Sequence, residues 1–363
     1  CLRPSSRMDR YRRGSPWLLA MSALAGCAGS HTPPDAGRDG SPHDAAGAAC
    51  EEPVPVDLLI IQEVADYAPP LTGILDWGLD ALIEPLSHGG AGASLHVGIV
   101  TTDMGGGEYM GLGCDFGDGT DGVLQAPNTA SSECFSAGLE RFQVVAVEAD
   151  VGRAVHALQC STSDVYDHCV TQSMEATLKA LTSSGSDLEF RGAMGGNGDG
   201  ANAGFLRDDA VLAIVFVAAH DDCSLADLRY VTMAATPGCA LRVCCEDRLL
   251  PLERYVDGLA ALGRRNVIVN ALTGIPADTR PAAGDRSEIH AALARPEMMR
   301  PGDILCLSPG FGEVWPSPRI ARLAEACPGV VRSLCDGLFD EVELRAFFTE
   351  VGNFVARAAC HER

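Results

Sequence analysis

Hydrophobic residues along the chain form two kinds of pattern, short continuous runs and longer stretches at helical spacing. Continuous runs are typical of strands buried on both faces of a sheet, and a spacing of three or four residues is typical of helices packed on one side. The runs predict strands at 56–61, 95–101, 142–147, 211–217, 266–272 and 329–334. The helical spacing predicts helices at 71–86, 169–181, 249–262, 318–326 and 341–359.

The alternation of strands and helices predicts the fold class. Strands that alternate with helices imply a mainly parallel sheet with helices on both faces. We therefore expect an α/β fold with a doubly wound, mostly parallel sheet over residues 56–363. Hydrophobic residues make up 47% of the chain, enough for one such core. A Gly-rich stretch at 105–122 is expected to form turns within a loop insertion.

The first residues follow a different pattern. A basic stretch at 10–13 precedes an apolar run at 17–24, which is far shorter than the roughly 20 residues that cross a bilayer. This order is that of a secretory signal. The run ends in Leu24-Ala25-Gly26-Cys27, which resembles a lipobox. The resemblance implies lipid attachment at Cys27 and, because Ala28 follows, an outer-membrane location in a Gram-negative bacterium. The alternatives are an ordinary signal peptide and a buried helix.

Two further boundaries are expected before the globular part. The sequence opens on Cys1, so we expect translation to begin at Met8, with residues 1–7 upstream of the true start. The signal segment then covers residues 1–27. Residues 28–55 are rich in Ala, Gly, Pro, Asp and Ser without a hydrophobic period, and they are expected to form a disordered tether.

The charge of the chain excludes one class of partner. Its formal net charge is -22, and removal of the five Arg and one Asp in residues 1–27 takes this to about -26. An acidic protein of this kind repels nucleic acid and anionic lipid headgroups. We therefore expect no nucleic-acid partner, and membrane contact only through the lipid anchor.

Fifteen cysteines are typical of an exported, oxidised protein. Sequence spacing favours the pairs Cys114–Cys134, Cys160–Cys169 and Cys335–Cys360. Further disulfide candidates crowd two other connections: Cys223, Cys239, Cys244, Cys245, Cys306 and Cys327. Zinc is the alternative, but the chain has no paired CxxC motif, and an adjacent pair of cysteines is poor geometry for one tetrahedral site. Setting aside Cys1 and Cys27 leaves thirteen cysteines, so one thiol stays unpaired, and Cys50 is the first candidate.

Five short motifs stand in a characteristic order: 56–61, 95–105, 204–210, 221–224 and 318–319. Together they resemble the von Willebrand factor A-like lipoproteins of the myxobacterial and deltaproteobacterial type. The similarity extends over roughly residues 56–360. It implies a Rossmann-like fold of the von Willebrand factor A type, with disulfide-stapled loop insertions.

The resemblance also implies a metal-ion-dependent adhesion site at the carboxyl edge of the sheet. In that family an Asp-x-Ser-x-Ser motif after the first strand, a loop Thr and an Asp after the fourth strand hold Mg²⁺. Here Glu63 takes the Asp position, and Ala65 and Tyr67 take the two Ser positions. Ala219 stands at the position of the fourth-strand Asp. Since Mg²⁺ demands near-octahedral oxygen ligands, we expect a degenerate site that binds no metal.

A second possible ion site lies in the Gly-rich stretch. Asp115, Asp118 and Asp121 hint at a structural calcium ion. Their spacing is not that of an EF-hand and lacks its terminal Glu. A solvated Asp-Gly turn is the simpler interpretation, and no cofactor is expected.

His220 ends a central strand, where doubly wound folds bind ligands. It is a candidate for a metal site with His96 or for a Cys–His pair with Cys223. The simpler alternative is that Cys223 forms a disulfide and that His220 is an ordinary surface residue.

The motifs that carry enzyme chemistry are missing from the sequence. No G-x-S-x-G elbow, H-E-x-x-H, Walker loop or strand-following G-x-G-x-x-G occurs. We therefore expect no enzyme but a cell-envelope lipoprotein whose domain binds or scaffolds an envelope or extracellular protein or glycan without metal. The alternative is an envelope hydrolase using His220 and nearby carboxylates. The expected binding surface is aromatic and acidic, and suits a basic or sugar-bearing partner: Asp66, Tyr67, Asp103, His220, Asp221 and Asp222.

Overall fold

The computed structural model describes these residues of the chain: 54–63, 72–88, 94–105, 119–129, 134, 138, 140, 141–146, 150–161, 170–190, 195–227, 248–263, 266–300, 303–308, 312–336 and 341–360. The signal segment and tether, with Cys27 and Cys50, lie outside these residues. So do Ala65, Asp66 and Tyr67 of the expected binding surface and metal site.

Alternating strands and helices make up most of the described chain. The strands are β1 Val56–Gln62, β2 Leu95–Thr101, β3 Phe142–Val145, β4 Val211–Ala218, β5 Val267–Thr273, β6 Cys306–Ser308, β7 Gly312–Val314 and β8 Val331–Ser333. The helices are α1 Thr72–His88, α2 Val151–Ser161, α3 Ser173–Leu181, α4 Leu252–Ala261, α5 Ser287–Leu293, α6 Pro318–Ala326 and α7 Glu341–Cys360, with a 3₁₀ turn at Pro296–Met299. Each predicted strand and helix is present, with ends shifted by a few residues.

Six strands form one sheet in the order β3-β2-β1-β4-β5-β8. All neighbouring strands are parallel except β3, which runs antiparallel to β2. Numbered along the chain, these strands follow the doubly wound order 3-2-1-4-5-6, which reverses direction between β1 and β4. The prediction of an α/β fold with a mostly parallel sheet is confirmed. β6 and β7 form a separate antiparallel hairpin.

Helices cover both faces of the sheet because strand side chains alternate between the two faces. Leu58 and Ile60 of β1 pack in a cluster with α1, α2 and α7. Leu59 and Ile61 pack in the opposite cluster with α3, α4 and α6. β1 and β4 are buried along their whole lengths, which explains why each appears in the sequence as a continuous apolar run.

A buried ion pair ties the amino edge of the sheet to the loop before β4. The carboxylate of Asp57, in β1, is fully buried and accepts hydrogen bonds from the backbone N and Nε of Arg207 at 2.7 and 2.8 Å. Burial raises the pKa of Asp57 in spite of Arg207. Arg207 also donates to the Val56 carbonyl at 2.7 Å. This one side chain therefore holds the loop against the edge of β1.

The disulfides correct the pairing predicted from sequence spacing. Cys134 is bonded to Cys160, with Cα atoms 5.6 Å apart, and Cys306 is bonded to Cys335 at 5.7 Å. The pairs expected for these four cysteines, Cys114–Cys134, Cys160–Cys169 and Cys335–Cys360, are therefore wrong.

The reason is tertiary packing at both bridges. The end of α2 packs against the loop before Cys134, where the N–H of Asn128 donates to the Cys160 carbonyl at 2.9 Å. Cys335 follows β8, and Cys306 begins β6 of the hairpin. Three further cysteines are also in disulfides: Cys223, Cys327 and Cys360. The remaining candidates lie outside the described residues: Cys114, Cys169, Cys239, Cys244 and Cys245.

Candidate functional site

The carboxyl ends of β1 and β4 form the crevice at which doubly wound folds bind ligands. Gln62, the last residue of β1, lies opposite Val217 of β4. Glu63 therefore lies level with the end of β4, and His220 follows that strand. The sequence placed both residues at this edge but did not predict that they contact each other.

Glu63 and His220 form a closed pair. One carboxylate oxygen, Oε2, accepts hydrogen bonds from the backbone N–H groups of Ala219 at 2.5 Å and His220 at 3.1 Å. The other, Oε1, pairs with Nδ1 of the His220 ring. The Glu63 side chain is completely buried. Both of its oxygens are therefore engaged within the protein.

The pair also shifts the ionisation of the imidazole. Burial of the ring disfavours its charged form, but the charge of Glu63 and its hydrogen bond outweigh burial, with a further contribution from Glu313. Together they raise the pKa of His220 above its ordinary value. The pair thus favours the protonated form of the imidazole, whose charge would be balanced by that of Glu63.

Trp315 closes the crevice from the β6–β7 hairpin. Its ring stacks on that of His220, with centroids 6.3 Å apart and planes inclined by 20°. Its backbone N–H donates to the Ala219 carbonyl at 2.9 Å, and that of Ser317 donates to the Gly274 carbonyl at 2.8 Å. Gly274 is required here because a Cβ would collide with the Trp315 carbonyl oxygen. Sequence reasoning missed Trp315, which lies in no predicted element.

Asp221 and Asp222, expected on the binding surface, cap helices instead. Asp221 accepts from the backbone N–H groups of Arg319 at 3.0 Å and Ile320 at 3.2 Å, at the start of α6. Asp222 accepts from the backbone N–H of Met174 at 2.8 Å, in the first turn of α3. Carboxylates stabilise helix amino ends in this way. Both side chains therefore position helices, with Asp222 buried and Asp221 partly exposed.

Asp103, also expected on the surface, is buried after β2. Its two oxygens accept from the backbone N–H groups of Gly105 at 2.7 Å and Thr120 at 3.0 Å. The hydroxyls of Thr101 and Thr120 are 2.6 Å apart. Asp103 therefore fastens a loop, and of the expected surface His220 and Asp221 are partly exposed among the described residues.

The proposed partnership of His220 with His96 is wrong. His96 lies opposite Asp57 at the amino edge of the sheet, and its Nδ1 is 2.8 Å from the Phe205 carbonyl oxygen. His220 lies at the carboxyl edge, about 20 Å away along strands that rise roughly 3.3 Å per residue. The Cys–His pair is also wrong, and the simpler expectation that Cys223 forms a disulfide is confirmed.

Asp121, a candidate calcium ligand, pairs with a buried cation. One of its carboxylate oxygens lies 2.5 Å from Nζ of Lys179, the only lysine in the chain. Asp115 and Asp118 lie outside the described residues. Within the described parts of the chain, no group of three or more His, Cys, Asp or Glu side chains is arranged to hold a metal ion.

Comparison of the chain with family models, curated proteins and solved structures found no match. The resemblance to von Willebrand factor A-like lipoproteins therefore stays a hypothesis that rests on the sequence motifs. Among the helices that the structure describes, none is both long enough and apolar enough to cross a membrane.

The crevice makes stability depend on pH. Burial raises the pKa of Asp221 to about 7, outweighing Arg319 and the helix amides, and the pKa of His220 is also raised. The folded chain therefore binds protons more tightly than the unfolded chain at both residues. We expect stability to fall as pH rises, from about pH 4 to 7 through Asp221 and above about pH 6.5 through His220.

Urea unfolding of the oxidised protein from pH 4 to pH 8 measures this dependence. Asp221→Asn is expected to flatten the acidic part of the profile, and His220→Gln the part above pH 6.5. The same dependence of stability on pH in the wild type and both variants would contradict the contribution of Asp221 and His220.

Proposed function

We propose that this chain is a cell-envelope lipoprotein whose α/β domain binds a protein or glycan partner without a metal ion and without catalysis. The observation that supports its metal independence most directly is the closed Glu63–His220 pair at the crevice. A carboxylate at this point of a doubly wound sheet is well placed for metal binding, and here its oxygens are occupied by protein donors.

The chemistry of the pair argues against a metal ion at this edge. Mg²⁺ needs near-octahedral oxygen ligands and gives up its water reluctantly. Ala219 offers no side-chain oxygen, and binding at Glu63 would require two backbone N–H groups to lose their acceptor. The His220 ring pairs with the other oxygen of Glu63, so both carboxylate oxygens already have a partner in the protein. A metal-independent contact is therefore the simplest use of this crevice.

The alternative, an envelope hydrolase that uses His220, has less support. A His–carboxylate pair is half of a nucleophile-activating arrangement, and the other half is a hydroxyl or thiol within about 2.6–3.2 Å of the ring. Among the described residues, no serine, threonine or cysteine side chain is hydrogen-bonded to His220. The Glu63–His220 pair therefore suits a structural role, in which it holds the backbone after β4 in place, better than the role of a general base.

Calorimetry with Mg²⁺ and Mn²⁺ on the full-length chain tests metal independence. We expect no saturable heat at millimolar concentrations, and capture of a partner from envelope extracts that persists in a chelator. Heat-unfolded chain serves as the control for nonspecific capture. A saturable heat that Glu63→Ala abolishes, or capture that the chelator prevents, would contradict the proposal.

The lipid anchor has its own test, since Cys27 lies outside the described residues. Metabolic labelling with a palmitate analogue is expected to mark the wild type and not Cys27→Ala. The variant is also expected to leave the membrane fraction, because each lipid CH₂ contributes about 0.8 kcal/mol to partitioning. Cys50→Ala is the matched control and should be labelled like the wild type. Equal labelling of Cys27→Ala would rule out this anchor.

A further inference from the structure

The β6–β7 hairpin has one face turned to the protein and one turned to solvent. Ser308 and Val314 are buried beneath it. Leu307 and Glu313 lie directly opposite each other in the ladder and are both exposed, Leu307 by 74%. The outer face thus combines a large apolar side chain with a carboxylate. The disulfide between Cys306 and Cys335 fixes the hairpin to the end of β8.

Trp315 extends this face as far as the crevice. It is partly exposed and stacks on His220, and the carboxylate of Glu313 is near enough to contribute to the raised pKa of His220. Among the described residues, neither the indole N–H of Trp315 nor the carboxylate of Glu313 has a hydrogen-bond partner. We call Leu307, Glu313 and Trp315 the hairpin face.

We propose that the hairpin face, within the binding function proposed above, docks a basic peptide segment of the partner protein. An arginine side chain of that segment lies over the Trp315 ring and pairs with Glu313, and an apolar neighbour contacts Leu307. Tryptophan is the best aromatic acceptor of a cation. Arginine pairs well with carboxylates and stacks on aromatic rings.

Charge complementarity selects this occupant over an acidic or neutral one. The chain carries a formal net charge of -22, so its field attracts basic segments and repels acidic ones. Glu313 places an exposed carboxylate on the same outer face of the hairpin as the partly exposed Trp315 ring. A basic segment with apolar neighbours satisfies all three side chains of the hairpin face.

Fluorescence anisotropy with a labelled peptide of alternating arginine and leucine tests the proposal. We expect saturable binding to the full-length chain, and binding about tenfold weaker for the same peptide with citrulline in place of arginine. Trp315→Ala should weaken binding about tenfold, and Glu313→Gln several-fold. Since Glu313 is exposed, its substitution does not endanger folding.

Matched control variants separate this face from general charge attraction. Trp77, on α1, is 48% exposed, and Glu253, on α4, is also exposed. Trp77→Ala and Glu253→Gln should leave the affinity within about twofold of the wild type. Equal losses in Glu253→Gln and Glu313→Gln, or equal binding of the citrulline peptide, would overturn the proposal.

The outcomes also separate this inference from the proposed function. Metal-independent partner capture that is unchanged in Trp315→Ala and Glu313→Gln would leave the function standing and remove the hairpin face from it. Binding of labelled chitotetraose that Trp315→Ala abolishes, without binding of the arginine peptide, would assign the face to a glycan and overturn the inference.

Discussion

Replacing Asp57 with alanine is expected to lower the free energy of unfolding by about 3–5 kcal/mol, the usual cost of breaking a buried ion pair. The Asp57 side chain is fully buried, and that of Arg207 is only 19% exposed. Without the carboxylate, Nε and the backbone N–H of Arg207 lose their acceptor in a site with little water. The loop before β4 would then separate from the amino edge of the sheet.

A double-mutant cycle isolates the pair. Since burial raises the pKa of Asp57, the charged pair is costly to bury, and removing both partners should cost less than the sum of the single changes. The matched control is Asp80→Ala, which breaks a pair with Arg345 whose side chains are 45% and 39% exposed. That change should cost about 1 kcal/mol or less. Equal losses for Asp57→Ala and Asp80→Ala would contradict the argument.

Glu63→Ala is expected to lower the free energy of unfolding by about 2–4 kcal/mol, because each buried donor left without an acceptor costs about 1–3 kcal/mol. The two donors are the N–H groups of Ala219 and His220. The pKa of His220 should also return toward or below its ordinary value, since its carboxylate partner is gone and burial remains.

Two measurements check this second prediction. Urea unfolding gives the loss of stability, and NMR titration of the His220 ring gives its pKa. Glu63→Gln keeps one oxygen acceptor for the backbone amides but removes the charge, so it should retain more stability than Glu63→Ala while lowering the pKa of His220. An unchanged His220 titration in both variants would show that Glu63 is not its partner.

The hydrophobic pattern was enough to predict the sheet, but not every element. β1 and β4 are apolar at nearly every position because both of their faces are buried. A short continuous apolar run of this kind is typical of a central strand. α2 was missed because it packs through small residues such as Ala154 and Ala157, which give a weak periodic signal. β6 and β7 have three residues each, too few to show an alternation.

The site was predicted by position and not by contacts. Doubly wound folds have a known binding edge, so the sequence could place Glu63 and His220 there. It could not show that Asp221 and Asp222 cap helices, because the helix amino ends that they cap belong to α6 and α3, distant in the chain. The disulfide pairing predictions were wrong for the same reason, because they relied on proximity in the sequence and not on proximity in the folded chain.

The pairing of Lys179 with Asp121 makes this chain unusually simple to probe by chemical labelling. Lys179 carries the only ε-amine of the chain, and its side chain is 1% exposed. Amine-reactive reagents can therefore modify it only when the region around α3 opens. Acylation at this single position, followed by mass spectrometry, therefore reports the frequency of that opening. The other basic side chains are guanidinium and imidazole groups, which such reagents leave largely unmodified, and mass spectrometry separates acylation at Lys179 from acylation of an α-amino group.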